Sequence, residues 1–453
     1  MNAPLPKETD SPLSSTFRSG LEMTSYDSYV SSVEKLAEAA LSFGVNWKAT
    51  RVPLGLLDGQ AGAALRESIP LQRRREQGAF FSSSELRATA LKPFREAEDS
   101  PGPFLDPAVG GGDLLIEIAR HLPIVQDLAQ TLKRWGEVLH GRDLEPSFVR
   151  LAKARLVLLA VERGAVAKSK DTTGLNDVLP EIKVDDGLEL LARGWFGGHI
   201  IMNPPFTYRM ASKETNWASG RTSVAAMFLA AAVTGSRPGT RLTAILPDVI
   251  RAGSRYGRLR KFVDARLHMV SIKPYGQFDA WTDVDVFILD GVIDQSVAST
   301  AATQWWRPTD GEQLGDFFEI SVGPVVPHRD RETGPKCPYL CSRDIPLGGE
   351  FNVSQADRRG FSRRLFHPPF VVIRRTSRPG DKSRGLGTII LGTEGVLVEN
   401  HLIILKPKDG SLKACGDIVD MLDSTRARNW LDNRIRCRHL TVRALREMPW
   451  LGS

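Results

Sequence analysis

The chain has few cysteines and no long apolar run. Four cysteines in 453 residues do not make the disulfide framework of a secreted protein. No stretch approaches the length of a membrane-spanning helix, and residues 1–20 lack the basic-then-apolar pattern of a signal peptide. We therefore expect a cytoplasmic protein with no membrane partner. The polar, Pro- and Ser-containing composition of residues 1–20 predicts disorder there.

The cysteines also have no familiar metal-binding pattern. Cys337 and Cys341 are spaced C-x3-C, and one residue separates Cys437 from His439. These side chains could contribute to a zinc site, but neither spacing belongs to the usual ligand pairs. We predict no metal site.

Two common phosphate-binding patterns are missing from the glycine-rich stretch 104–116. The stretch predicts a strand, a loop and a helix, as at the start of a nucleotide-binding α/β unit. It has no G-K-[ST] of a P-loop. It also lacks the G-x-G-x-x-G of a dinucleotide-binding fold, and Asp106 and Asp113 flank the glycines, where they would repel a pyrophosphate. The ligand should therefore carry positive charge. S-adenosylmethionine, with its ammonium and sulfonium groups, fits.

A second pattern is a short apolar run that ends on Asn203-Pro204-Pro205-Phe206. The run predicts one buried strand, because the prolines can neither continue a ladder nor donate a hydrogen bond. The Asn203 amide, unpaired main-chain carbonyls and the Phe206 ring then suit a planar group that carries an amine. A tight turn with a chance Pro-Pro is the alternative interpretation.

The ordered pair Asp-Pro-Ala-x-Gly-x-Gly-x-x-Leu and Asn-Pro-Pro-Phe resembles the gamma-class N6-adenine DNA methyltransferases of restriction-modification systems. The resemblance covers about residues 78–290 by motif. It implies a Rossmann-like α/β methyltransferase domain with a largely parallel sheet, followed by an α+β target-recognition domain. We expect an N-terminal helical and partly disordered extension at 1–72, the catalytic domain at 73–295 and the target-recognition domain at 304–453.

The resemblance also implies roles for single residues. The implied catalytic residues are Asn203, Pro204, Pro205 and Phe206, with Phe206 and Phe278 against the target base. The implied contacts of S-adenosylmethionine are Phe81, Ser82, Asp106, Ala108, Gly110, Gly112, Asp143 and Asp186. Ser82 and Ser83 stand where the family usually has Thr-Pro, and this Ser-rich turn could instead simply cap a helix.

Other implied roles keep alternatives that the residues alone leave open. Asp143 follows the second predicted strand and could accept both ribose hydroxyls, but Glu145 is a rival, and Asp143 could only cap the following helix. Asp186 matches the acid that binds the cofactor adenine better than Asp185 does, although Asp-Gly is also a common turn. Phe278 could simply anchor a loop by its burial.

Basic residues are concentrated in the last third of the chain. Residues 301–453 contain 24 Lys and Arg against 18 Asp and Glu, which accounts for most of the net charge of +7. Basic groups on loops and sheet edges can hold a duplex by its phosphates, and a solvated surface is the alternative. The predicted DNA contacts are Arg374, Arg375, Arg378, Lys382 and Arg384.

Together these patterns predict methyl transfer from S-adenosylmethionine to N6 of a flipped-out adenine in double-stranded DNA. A separate restriction endonuclease or defence subunit is a possible partner, because no nuclease constellation is evident in the sequence. Methylation of an RNA base or a protein glutamine amide is the enzymatic alternative. A non-catalytic DNA-recognition subunit is the alternative from another class.

Overall fold

The computed structural model describes residues 24–42, 52–96, 102–168, 174–195, 197–294, 304–306 and 310–450. The predicted disorder of residues 1–20 therefore lies outside the described residues. Contacts divide the chain into two compact units. The first contains residues 1–210, 220–245 and 290–297, and the second contains residues 211–219, 246–289 and 298–453. Residues 246–289 thus group with the C-terminal part, whereas the sequence prediction placed them in the catalytic domain.

The first unit combines short strands with helices that flank them. Its helices are α1 (Thr24–Leu41), α2 (Leu54–Leu57), α3 (Gln60–Ser68), α4 (Leu71–Gln77), α5 (Ser84–Ala90), α6 (Lys92–Glu96), α7 (Asp113–Ala119), α8 (Leu128–Val138), α9 (Pro146–Glu162), α10 (Gly187–Arg193) and α11 (Val224–Gly235). Its strands are β1 (Phe104–Asp106), β2 (Leu139–Asp143), β3 (Ile182–Val184), β4 (His199–Met202), β5 (Tyr208–Met210), β6 (Arg221–Ser223) and β7 (Arg241–Pro247).

The main sheet of this unit is parallel and has β1 near its centre. β1 pairs with β2 and β4, β2 pairs with β3, and β4 pairs with β7, all in parallel, in the order β3-β2-β1-β4-β7. Connections through helices cover the sheet, and the central strands β1 and β4 are buried along almost their whole length. The predicted Rossmann-like α/β fold with a largely parallel sheet is confirmed.

The N-terminal extension, which we expected to be helical in part, contains α1, and this helix packs along α9. Tyr26 is buried and meets the ring of Phe148 edge-on, with 5.9 Å between the ring centroids. At the rim of this contact, Nε of Arg150 lies 3.0 Å from Oε1 of Glu34. α1 is therefore part of the packed unit that carries the glycine loop.

Two fully buried arginines bind the N-terminal helices to the glycine loop through Asp113. Arg155 on α9 places Nη2 2.9 Å from Oδ1 of Asp113 and donates from Nε to the carbonyl oxygen of Leu56 at 2.8 Å. A further N–H of Arg155 donates to the carbonyl of Gly111. The N-terminal segment, α9 and the loop are thus connected by one side chain.

The second of these arginines, Arg87 on α5, lies 3.6 Å from the same Asp113 oxygen. It donates to the carbonyl of Ser82 at 2.6 Å and to Oδ1 of Asp58 at 2.8 Å. Arg87 and Arg155 have 1% and 0% of their surface exposed. Charges at this depth are tolerated because carboxylates and carbonyls surround them.

The second unit contains the other helices and strands. The helices are α12 (Asp248–Ala252), α13 (Gly257–Asp264), α14 (Leu314–Phe317), α15 (Leu412–Leu422), α16 (Thr425–Arg434) and α17 (Val442–Arg446). The strands are β8 (Leu267–Asp279), β9 (Thr282–Ile293), β10 (Phe318–Val322), β11 (Cys337–Leu340), β12 (Glu350–Asn352), β13 (Arg358–Arg359), β14 (Phe370–Arg374), β15 (Gly387–Leu391), β16 (Leu397–Val398) and β17 (Leu402–Pro407).

A five-stranded sheet, in the order β10-β17-β14-β15-β12, organises the C-terminal part of this unit. Successive side chains on a strand face opposite sides, so Ile373 and Ile403 pack with the helices α15 to α17. Val372 and Ile404 belong to a separate apolar cluster. β13, β11 and β16 form a second small sheet. None of the helices described is long and apolar enough to cross a membrane.

Replacing Asp113 with Ala tests the buried arginine pair. The change leaves two charged side chains in the core without their shared carboxylate, and we expect it to lower the free energy of unfolding by about 3–5 kcal/mol. Urea denaturation measures this difference. Glu34→Ala, which breaks the partly exposed pair with Arg150, is the control and should cost at most about 1 kcal/mol. Equal losses in the two variants would contradict the structural role of Asp113.

Candidate active site

The glycine loop and the Asn-Pro-Pro-Phe segment lie at the same edge of the parallel sheet. β1 and β4 are paired in register, with Phe104 opposite His199 and Leu105 opposite Ile200. Because parallel strands end on the same side, the loop after Asp106 and the segment that begins at Asn203 leave the sheet together. This edge is where open α/β sheets bind their ligands.

Two adjoining cavities occupy this edge. The smaller, of about 80 Å³, is lined by Phe81, Ser82, Asp106, Ala108, Gly110 and Asn203, among others. The larger, of about 340 Å³, is lined by residues that include Pro107, Asp143, Leu144, Asp186, Leu188 and Phe228. Gln77, Ala108, Asp143, Phe148 and Pro205 line both. Together they have the size of a site for a nucleoside-sized ligand.

Asp106 ends β1 and is buried at the floor of the smaller cavity. Its Oδ1 accepts a hydrogen bond from the backbone N–H of Ala108 at 3.1 Å. Burial raises the pKa of Asp106 to about 8, and the Ala108 N–H opposes this rise. The positive φ angles of Gly110 (49°) and Gly112 (85°) carry the loop back towards α7.

Asp143 ends β2 and forms hydrogen bonds with both the glycine loop and the loop that precedes α9. Its Oδ2 accepts from the backbone N–H of Gly110 at 2.9 Å, and its Oδ1 accepts from that of Glu145 at 3.0 Å. Burial raises the pKa of Asp143 to about 6, while these N–H groups oppose the rise. Glu145 caps α9 through Ser147, with 3.2 Å from Oε1 to the backbone nitrogen. Both acids line the larger cavity, but only Asp143 also lines the smaller one.

Asp186 lines the larger cavity and caps α10. Its Oδ1 accepts from the backbone N–H of Leu188 at 2.8 Å, and Oδ2 has no hydrogen bond within the described ranges. A side chain on Gly187 would place Cβ 1.8 Å from the carbonyl oxygen of Pro107, so only glycine permits this approach. Asp185 instead lies 3.6 Å from Nε of Arg142. Of the two acids, Asp186 is thus the one beside the cavity.

The side chain of Asn203 is held by Ser82. The Nδ2 group of Asn203 donates to Oγ of Ser82 at 2.9 Å, and Ser82 is buried. At Gly78, whose φ is 69°, a Cβ would lie 2.4 Å from Cβ of Pro205, so the segment that contains Ser82 packs directly on the Asn-Pro-Pro turn. Sequence reasoning assigned Ser82 to the cofactor and missed this contact, because the two residues are 121 positions apart.

The aromatic residues of the motifs occupy different positions. The Phe81 ring lies 5.4 Å from that of Phe148 and lines the smaller cavity above Gly110. Phe206 is half-buried and lies outside the lining residues of both cavities. Pro204 is buried, and no hydrogen bond to its carbonyl oxygen occurs in the described part of the chain.

The lining of the site is strongly acidic. Its acidic residues are Glu76, Asp106, Asp113, Asp143, Glu145 and Asp186, and its one basic residue is Arg209. The charge of Asp113 is met by the two buried arginines described above, whereas Asp106 and Asp143 form no ion pair within the described ranges. Such a site favours a cationic ligand over a phosphate. No group of three potential metal ligands is found among the residues that the structure describes.

One predicted DNA contact is wrong. Arg384 has no exposed surface and donates to the carbonyls of Ile435 at 2.6 Å and Ser377 at 3.0 Å, with Asp432 2.9 Å from Nε. Arg384 therefore binds backbone carbonyls of neighbouring segments and cannot reach a phosphate. Of the other predicted contacts, Arg374 and Arg375 are half-buried and donate to carbonyls, and Arg378 and Lys382 are exposed.

Phe278 also differs from its predicted role. The residue lies within β8, not in a loop, and only 1% of its surface is exposed. A ring buried to this extent has no surface to offer an incoming base. This burial favours the alternative that Phe278 anchors its segment by packing.

Known proteins resemble this chain in structure, but not in sequence: no model of a known protein family matches it, and no curated protein does. MmeI, a type IIL restriction-modification enzyme solved in complex with DNA, matches 85% of this chain and 70% of its own at 12% identity, with a TM-score of 0.54.

Two further solved structures align at lower TM-scores. The Listeria monocytogenes protein lmo1582, assigned to the class I S-adenosylmethionine-dependent methyltransferases, matches 60% of this chain and 82% of its own (15% identity, TM-score 0.40). A type I restriction-modification methyltransferase subunit from Streptococcus thermophilus matches 52% of this chain and 51% of its own (17% identity, TM-score 0.32). At these identities, what the chain shares with MmeI is the fold.

Proposed function

We propose that this protein is an S-adenosylmethionine-dependent methyltransferase that methylates N6 of adenine in double-stranded DNA, as the modification component of a restriction-modification or defence system. The observation that carries the proposal is the shared cavity, in which an acidic glycine loop and the Asn203 amide lie at one edge of the sheet. The shared fold with MmeI, which was solved with DNA, supports the same substrate.

The acidic residues of the site suit the polar groups of S-adenosylmethionine. Asp186, with its second oxygen available, can accept from an adenine amine, and Asp143 can accept from ribose hydroxyls. Asp106, without a basic partner in the described residues, can stabilise the cationic methionine end. Phe81 closes the smaller cavity on the other side. When bound, the cofactor would supply an electrophilic methyl carbon.

Asn203 can prepare the target amine for attack. The bond from Nδ2 to Ser82 fixes the orientation of the Asn203 amide, and its oxygen Oδ1 can accept from the amine, together with the carbonyl of Pro204. Two acceptors draw the exocyclic nitrogen towards tetrahedral geometry and localise its lone pair, which stabilises the transition state more than the ground state. No strong base is needed. The base must leave the duplex to reach this site, and stacking on Phe206 would offset part of that cost.

Asn203→Ala should lower the rate of methyl transfer by about a thousandfold or more, because the amine loses an acceptor that acts in the transition state. Affinity for S-adenosylmethionine should stay within about threefold of the parent, since the variant removes no proposed cofactor contact. Transfer of a radiolabelled methyl group to duplex DNA, RNA and protein measures the first effect, and calorimetry measures the second.

The three substrates separate the competing functions. Label in RNA or protein but not DNA would replace the proposed substrate, and cofactor binding without transfer to any of them would favour a non-catalytic recognition subunit. Unchanged turnover in Asn203→Ala would remove this residue from the mechanism.

Ser82→Ala should lower kcat by about tenfold, the worth of one hydrogen bond that orients the Asn203 amide. Ser82→Thr retains the hydroxyl and should restore most of the loss. Steady-state kinetics with saturating DNA and cofactor measure kcat, and calorimetry tests whether the affinity for the cofactor changes. If Ser82→Ala weakens cofactor binding and leaves kcat intact, the hydroxyl serves the cofactor and not Asn203.

The affinity for S-adenosylmethionine should depend on pH through Asp106. Because its pKa is raised to about 8, this carboxyl is mostly protonated at low pH and gains its charge as the pH rises. Between about pH 6 and about pH 7.5, where an α-amino group keeps most of its proton, Kd should fall by roughly an order of magnitude. Calorimetric titrations across this range provide the test. In Asp106→Asn most of the slope should disappear, leaving the smaller part that Asp143, with a pKa of about 6, contributes. A parent protein with a flat profile would contradict the assignment.

A further inference from the structure

The second unit carries a basic cleft lined by residues of the edge strand β10 and its neighbour β17. Four basic residues surround it: Arg364, Lys406, Lys408 and Arg446. The cleft has a volume of about 400 Å³, and its floor includes Phe318 and Phe366. Arg364, Lys408 and Arg446 are exposed, and Lys406 is half-buried. We call this feature the β10–β17 cleft.

The charges of the β10–β17 cleft are not neutralised by acids. In the part of the chain that the structure describes, none of the four basic groups has a carboxylate within 4.0 Å. Three of the cations are held by neutral carbonyls: Lys408 donates to Gly315 and Asp316, both at 2.9 Å, Arg446 donates to Ile320 at 3.0 Å, and Lys406 donates to His367 at 3.3 Å. Arg364 lies over the ring of Phe366, with 5.0 Å from Cζ to the ring centroid. These contacts hold the cations without cancelling their charge. Glu319 is the one acid in the lining.

In contrast, three arginines between positions 358 and 363 form ion pairs with acidic residues. Arg358 lies 3.0 Å from a Glu394 oxygen, and Arg363 lies 2.6 Å from Oδ1 of Asp330. Arg359 is likewise paired with Glu332. Their charge is balanced locally, so they attract a polyanion less than their number suggests. The four basic residues of the β10–β17 cleft differ from these three arginines, because no salt bridge is found for them among the described residues.

We propose that the β10–β17 cleft holds the phosphate backbone of duplex DNA, an inference that rests on the DNA substrate proposed above. Several unpaired cations on the rigid edge of a sheet match a regular row of phosphates. Single-stranded nucleic acids are usually held by stacking on exposed aromatic rings, but Phe318 and Phe366 are only 2% and 7% exposed. The cleft therefore offers charge and no stacking surface, which favours a duplex.

The test compares two double variants of the full chain that remove the same charge. Arg364→Gln with Lys406→Gln alters the cleft, and Arg358→Gln with Arg363→Gln, at ion-paired positions outside its lining, is the control. The affinity for a short random-sequence duplex is measured by fluorescence anisotropy over a series of KCl concentrations. Losing two phosphate contacts should lower the slope of log Kd against log salt by about 1.8, and weaken binding at low salt by about tenfold or more.

The control should leave the slope nearly unchanged. Equal changes in both variants would show a general effect of net charge and overturn the proposal, as would an unchanged slope in the cleft variant. Lys406→Gln alone, with about half the effect, guards against loss of folding in the double variant. Because binding is measured without turnover, the result is independent of methyl transfer. A cleft that binds DNA in a protein that methylates nothing would refute the proposed function only.

Discussion

The parallel pairing of β1 with β4 is the constraint on which the site depends. Neighbouring parallel strands must end at the same edge, so the glycine loop after Asp106 and the turn at Asn203 face one cavity. These strands have only three and four residues, and contacts of the surrounding helices anchor the loop that follows β1. Arg87 and Arg155 provide that anchor through Asp113, and they connect it to the N-terminal helices. The first residues of the described chain are thereby part of the support of the site.

The charged residues of the two units differ in whether a partner of opposite charge neutralises them. At the site, buried arginines neutralise Asp113 and leave Asp106 and Asp143 without cationic partners, which is costly for an empty cavity and favourable for a cationic ligand. In the second unit most arginines are used as structural donors or ion-pair partners. The β10–β17 cleft is the contrasting case, since it gathers four basic side chains for which no salt bridge is found among the described residues.

The sequence predicted the elements whose chemistry is local. The glycine loop and the strand that ends at Asn203 followed from apolar runs, glycines and prolines within a few residues of one another. The largely parallel α/β fold followed from the family resemblance that these two motifs carry. The pairing of Asn203 with Ser82 could not be predicted, because it depends on how Gly78 packs against Pro205.

Local sequence also does not show whether a basic side chain is buried against carbonyls or available at the surface. Arg384 belongs to a basic stretch, but it is buried and donates its hydrogen bonds to carbonyls. The basic residues of the β10–β17 cleft, in contrast, are scattered from position 364 to 446.

Mass spectrometry of the nucleosides from treated DNA tests the central claim most directly. Unmethylated random-sequence duplex is incubated with the protein and S-adenosylmethionine that carries a deuterated methyl group, then digested to nucleosides. We predict labelled N6-methyldeoxyadenosine as the product, because the Asn203 site presents acceptors to a planar exocyclic amine. Labelled methylcytosine, or cofactor that binds without any labelled nucleoside, would contradict the account.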